Sequence, residues 1–116
     1  MRHQIYCIRD NKASVYNLPW FASSLPVALR NIGRAVYDEE SQLSIFPQDF
    51  DLFKLGEYDD QQGKFVIEGP PEYVTSLQNV KMELEEIRRK IDKKGEKNGS
   101  KSQDFGAVPE IEKNKG

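Results

Sequence analysis

The sequence predicts an α+β fold: a small antiparallel sheet of two hairpins with one packed helix, then a C-terminal amphipathic helix and a disordered basic tail. Three observations predict it. Segments rich in β-branched and aromatic residues come in two pairs, each joined by a polar turn. Between the pairs, apolar residues recur at spacings of three and four, the period of a helix lying on a surface. After Gly69-Pro70-Pro71 the period changes again, and apolar content then runs out. At 116 residues and 13.4 kDa the chain has the length of one small domain. Its apolar share is 37%, below the roughly 45–50% of globular chains (a figure that also counts glycine), so part is expected to pack and part to be solvated.

Residues 4–8 (Gln4-Ile5-Tyr6-Cys7-Ile8) read as the first strand. The polar stretch 10–13 reads as a turn, with Asp10 and Asn11 supplying local side-chain hydrogen bonds. Residues 14–16 resume β character and close the first hairpin. Leu18-Pro19-Trp20-Phe21 breaks the pattern, because Pro19 has no N–H for a ladder. Ser23 or Ser24 caps a helix whose first turn accepts Pro26. Leu25, Ala28, Leu29, Ile32, Ala35 and Val36 form its apolar face, which ends near Tyr37. Arg30 and Arg34, four apart and off that stripe, are expected to face solvent together. Gly33 costs about 1 kcal/mol relative to alanine inside a helix, which points to close packing there.

The acidic stretch 38–41 is a solvated connector. Residues 46–50 read as a structured loop anchored by Phe46 and Phe50. Residues 51–58 and 64–68 are expected strands, joined by a turn in which Gly63 suits a positive φ. Tyr73, Leu77, Val80, Leu84, Ile87 and Ile91 then step by four and three, the spacing of a heptad seam. Glu83 and Arg88 fall at flanking positions that pair across a parallel dimer. Two uses of the seam remain open: packing on the domain in cis, or self-association. Beyond Lys94 the composition predicts disorder, with Phe105, Val108 and Ile111 either a docking segment or tolerated residues of a loose terminus. The expected organisation is a core domain over 1–70, an amphipathic helix over 71–94 and a tail over 95–116.

The charge is unevenly placed. Residues 1–72 carry seven Lys+Arg against eleven Asp+Glu, and residues 73–116 carry ten against eight. Within the latter, residues 88–101 hold seven bases and two acids, a run able to neutralise phosphates or simply to complement a helix C-terminus. No apolar run reaches the roughly 18 residues of a membrane helix, and the opening residues lack the apolar core of a signal peptide. His3 and Cys7 are the only residues of their types, so neither a disulfide nor a zinc site is expected. Asp49, Asp51, Glu57, Asp59 and Asp60 surround the second hairpin without the spacing of a calcium loop. A glycine-rich phosphate loop is also missing. Tyr6, Tyr16, Trp20 and Phe21 gather near the first hairpin, where they either pack in the core or stack bases beside Arg9 or Arg30.

The order of these features carries a resemblance. The segments are residues 5–13 (IYCIRDNKA), 18–22 (LPWFA), the helix with Ala28-Leu29-Arg30, and residues 46–59 (FPQDFDLFKLGEYD), closing at Gly63. Over roughly residues 4–68 the chain resembles the small non-structural protein of gokushovirus-type Microviridae, tailless phages with circular single-stranded DNA genomes. The resemblance implies a non-enzymatic viral protein, described in that family as DNA-binding, without defined catalytic residues. The matching Pro47, Asp49, Phe50, Leu55 and Gly56 read as fold determinants.

The resulting expectation is a phage non-structural protein of the host bacterial cytoplasm, needing no cofactor or metal. It binds nucleic acid and assists viral DNA replication, or the switch to single-stranded genome synthesis and packaging. Arg30 and Arg34 would meet phosphates as fixed charges, and Arg88, Arg89, Lys90, Lys93 and Lys94 as a flexible arm. The expected partners are single-stranded DNA, phage replication or capsid-assembly proteins, and a second copy of the chain, with no membrane. The alternative is a self-associating interaction module without DNA binding, joined through Tyr73, Leu77, Val80, Leu84, Ile87 and Ile91.

Overall fold

Four consecutive buried residues, Ile5 to Ile8, set the character of strand β1 (Arg2–Asp10): successive side chains alternate faces, so on both faces the middle of this strand is shielded from solvent, by α1 on one and by neighbouring side chains on the other. In the computed structural model the backbone is described over residues 1–98 and side chains over residues 1–93. On one side β1 pairs antiparallel with β2 (Val15–Tyr16) and β3 (Trp20–Ala22). On its other side lies β4 (Phe50–Asp59), which in turn pairs antiparallel with β5 (Lys64–Val66) and β6 (Glu72–Ser76). Both outer ribbons are thus split in two. The first breaks around Pro19 and the second around Gly69-Pro70-Pro71, where proline cannot donate to a ladder.

The first hairpin forms as its composition predicts. Asp10 Oδ1 accepts from the backbone N–H of Lys12 at 3.0 Å and of Ala13 at 3.1 Å, and the Asn11 N–H donates to the Asp49 carbonyl at 2.9 Å. Helix α1 (Leu25–Tyr37) is capped by Ser24, whose Oγ accepts from the Val27 N–H at 3.4 Å. Its Ala28, Ile32 and Val36, four apart, bury against Tyr6, Ile8, Phe50 and Leu52 of the sheet. Gly33 is buried beside α3, and a Cβ there would lie 3.4 Å from Leu84 Cδ1, an ordinary contact, so packing alone does not require the glycine.

Several elements differ from expectation. Residues 42–45 form a short helix, α2 (Gln42–Ile45), too brief to show a period; Ser41 caps it, accepting from the Ser44 N–H at 3.2 Å. A 3-10 turn (Pro47–Asp49) follows, in which Phe50 is buried but Phe46 is 48% exposed, so only one of the two aromatics is an anchor. The largest difference is β6. Residues 72–76 join the sheet rather than opening the last helix, because Tyr73 and Val74, aromatic and β-branched, meet the free edge of β4. Tyr73 therefore leaves the heptad seam.

Helix α3 (Leu77–Asn98) begins where Ser76 Oγ accepts from the Asn79 N–H at 3.1 Å. Its backbone continues to Asn98, past the expected end at 94, so residues 95–98 are helical. The rest of the expected tail, with Phe105, Val108 and Ile111, lies outside the described residues. The chain divides into two compact units, Met1–Leu84 and a second beginning at Glu85. In the first, Leu77 and Val80 are buried and Leu84 packs on the same core, so the front of the seam is used in cis. In the second, Ile87 and Ile91 are exposed.

Two register shifts shape the sheet. Ile5 and Tyr6 face Gly56 and Lys54, leaving Leu55 as the extra residue of a bulge; Leu52 and Phe53 face Thr75 and Tyr73, leaving Val74 as another. Gly56, beside the first bulge at φ +158°, leaves no room for a side chain: a Cβ there would sit 2.7 Å from the Val66 carbonyl oxygen and 2.9 Å from Ile67 Cγ1. Gly56→Ala is expected to cost about 1–3 kcal/mol by overpacking against backbone. Gly69→Ala, with open space around it, should stay within about 0.5 kcal/mol of the parent in urea unfolding.

Candidate nucleic-acid interface

Strand alternation divides the aromatic residues between two faces. Tyr6, Ile8, Phe50 and Leu52 lie under α1. On the opposite face, the register places Tyr16 beside Arg9, Phe21 beside Ile5, Tyr73 beside Phe53, and Phe65 beside Tyr58. The bulge at Leu55 keeps Phe53 and Tyr58 on one face, although five positions separate them and a regular strand would oppose them. Within Met1–Leu84 no element covers this face. Tyr16 is 44% exposed, Phe21 53%, Tyr73 55% and Phe65 60%.

The rings form two rows crossing the sheet. In the first, Tyr16 meets Phe53 at 5.4 Å between centroids and 74°, and Phe53 meets Tyr73 at 5.9 Å and 78°. In the second, Phe21 meets Tyr58 at 5.8 Å and 60°, and Tyr58 meets Phe65 at 5.4 Å and 55°. Ile5 and Cys7 lie on this face and are buried, so the sheet beneath the rings is closed to solvent. Burial pushes the Cys7 thiol up, which keeps it protonated and unreactive.

Charge lies at the ends of the rows. Arg9 holds its guanidinium 5.5 Å from the Tyr16 ring centre, a cation–π distance, and its Nη1 donates to Asn11 Oδ1 at 2.5 Å. Asn11 Nδ2 donates to Asp51 Oδ2 at 2.9 Å. Near the second row, His3 Nε2 lies 2.8 Å from Asp60, whose carboxyl is held low by hydrogen bonds from the Met1 ammonium and then His3. Asp59 is lowered chiefly by the backbone N–H groups of Gln62 and Gln61 in the turn. Glu57 is lowered by Arg2, which donates to it at 3.0 Å. The acidic residues of the second hairpin thus serve local structure. Among the described residues, no group of three or more His, Cys, Asp or Glu is placed to hold a metal ion. A cleft of about 330 Å³ where β5 gives way to β6 is lined by Arg2, Lys54, Glu57, Glu68 and Glu72, mixed charges that pair in part with each other.

The predicted site residues are dispersed. Of the four aromatics grouped by sequence, Tyr6 and Trp20 lie on the covered face and only Tyr16 and Phe21 on the open one. The signal that separates them is adjacency: Trp20 and Phe21 are neighbours on a strand and cannot share a face. Phe53, Tyr58, Phe65 and Tyr73 escape sequence reasoning, because the bulges and the partner strands that gather them are not local. Arg30 and Arg34 are exposed on α1, which covers the other face, so the sheet separates them from the rings. Arg88, Arg89, Lys90 and Lys93 are exposed on α3 in the second unit, and Arg89 pairs with Glu86 at 2.6 Å. The Lys94 side chain lies outside the described residues. No described helix is long and apolar enough to cross a membrane.

A family model described as Phage ORF5 protein matches residues 3–80. No curated protein and no solved structure matches the chain. The matched span contains all six strands but for the first residue of β1, and both ring rows in full; the basic run at 88–94 lies beyond it.

Proposed function

The chain belongs to the Phage ORF5 protein family, and from this premise we propose that it is a non-enzymatic phage protein that binds single-stranded nucleic acid through the ring-bearing face of its sheet. The observation that carries the reading is the six rings in two rows on a face that nothing in Met1–Leu84 covers. Exposed rings are costly to leave in water, and every base has a π face that stacks on them without regard to sequence. A duplex hides those faces; a single strand presents them. The run Arg88, Arg89, Lys90, Lys93 and Lys94, in the second unit, supplies phosphate contacts of its own. Arg30 and Arg34, across the sheet from the rings, take no part. The likeness to the gokushovirus-type Microviridae supports single-stranded DNA as the ligand. The role is then in viral DNA replication, or in the switch to genome synthesis and packaging, in the host cytoplasm.

The test is binding of labelled oligothymidylate across a salt series, for the parent and for the full chain carrying Arg88→Glu, Arg89→Glu and Lys90→Glu. Affinity should fall linearly on logarithmic axes, with a slope of about 0.7 per phosphate contact, and the charge-reversed chain should show a shallower slope. No binding by the parent at about 50 mM salt overturns the reading. A second reading is favoured by one observation, the exposure of Ile87 and Ile91 four apart on α3. It is an interaction module that self-associates there, and a concentration-dependent dimer without DNA binding would support it.

A further inference from the structure

We propose that the Arg9 end of the first ring row is a guanine-selective subsite, in which Arg9, aimed by Asn11 and Asp51, reads the base edge. The inference rests on the ring-bearing face being a single-strand platform and adds a base preference to it. Three observations carry it. By register Arg9 sits opposite both Tyr16 and Asp51, on the ring face, with its guanidinium over the Tyr16 ring, 5.5 Å from its centre. The chain Arg9–Asn11–Asp51, at 2.5 and 2.9 Å, has only one possible polarity. Arginine has no acceptor, so the Asn11 oxygen must face Arg9; the ionised carboxylate has no donor, so the Asn11 amino group must face Asp51. Finally, the backbone holding Asn11 is fixed by its own bond to the Asp49 carbonyl and by the Asp10 turn.

Phosphate also accepts the arginine fork with two bonds, so the relay favours bidentate contact in general and the neighbouring rings favour a base. An orienting relay matters where two N–H groups must meet two acceptors at once. Guanine offers O6 and N7 as adjacent acceptors, whereas adenine pairs an acceptor with a donor, cytosine presents a donor, and thymine presents one acceptor and a methyl group. A base stacked on one ring of the Tyr16–Phe53 pair, which stand 74° apart, brings its edge toward the guanidinium. The fork then meets guanine with two bonds and each other base with at most one. Asn11 and Asp51 are positioning residues in this scheme; neither has to touch the base.

The experiment compares, at one salt concentration, the full chain binding oligothymidylate and the same oligomer with one central dT replaced by dG, dA or dC. The dG oligomer should bind about 10-fold more tightly than the others. Asn11→Ala should reduce that preference to below about two-fold while leaving oligothymidylate affinity within about two-fold of the parent. Arg9→Lys, which keeps the charge and loses the fork, should abolish the preference in the same way. Equal affinity for all four oligomers in the parent overturns the proposal, as does a preference that survives Arg9→Lys. A uniform weakening of all four by Asn11→Ala, with the preference retained, means that the relay serves the fold or general affinity and not base choice, and also overturns it. Failure of the parent to bind any oligomer removes the platform reading itself, and the subsite with it.

Discussion

Leu52→Ala should lower the unfolding free energy by about 2–5 kcal/mol, the cost of a large-to-small change that leaves a cavity. Leu52 is fully buried in β4, the strand that pairs with β1 on one side and with β5 and β6 on the other. It belongs to the cluster that joins Tyr6 and Ile8 of β1, Ile32 and Val36 of α1, and Leu77 and Val80 of α3. The core shared by these three elements and β4 is therefore opened, and backbone hydrogen bonds on both sides of β4 keep it from collapsing into the gap. Against the roughly 5–15 kcal/mol total of a domain, this is a large fraction. Urea unfolding should show a lower midpoint with an unchanged slope. Ile87→Ala, at a position 53% exposed in the second unit, should change stability by no more than about 0.5 kcal/mol. A loss below about 1 kcal/mol at Leu52 would mean that the core does not run beneath β4.

Tyr73→Ala should weaken binding to single-stranded DNA by about 5- to 150-fold, the equivalent of 1–3 kcal/mol for one stacked base. Tyr73 ends the first ring row, is 55% exposed, and touches Phe53 edge-on, so its removal takes away a stacking surface while leaving the core intact. The stability cost should be about 0.5–1.5 kcal/mol, the worth of an aromatic pair, and smaller than that of Leu52→Ala. Phe65→Ala, at the end of the second row, should behave alike if both rows hold bases. Trp20→Phe, on the covered face beside Tyr6, should leave affinity unchanged. Fluorescence anisotropy at fixed salt reads the affinity, and thermal melts by circular dichroism read the stability. If Tyr73→Ala and Phe65→Ala both bind as the parent does while charge reversal at Arg88, Arg89 and Lys90 abolishes binding, the site is the basic run and the rings serve another partner.

What the amino-acid sequence determined by itself was whatever depends on neighbours along the chain. The α+β class, the first hairpin with its Asp10 turn and the buried stripe of α1 all follow from local period and turn chemistry. The seam from Leu77 onward was legible for the same reason, since a helix repeats its face every three or four residues. The tertiary structure decided which face each strand residue occupies. Period-two arithmetic places Phe53 and Tyr58 on opposite faces; the bulge at Leu55 brings them to the same one. Tyr73 reads as helical until β4 offers it a free edge, and its partner Phe53 lies twenty positions earlier. The ring rows exist only because strands distant in sequence are paired in one register, and a one-residue shift would send every ring to the other face. Periodicity is a property of the segment, whereas a shared surface is a property of the contacts between segments, and only the folded sheet contains those.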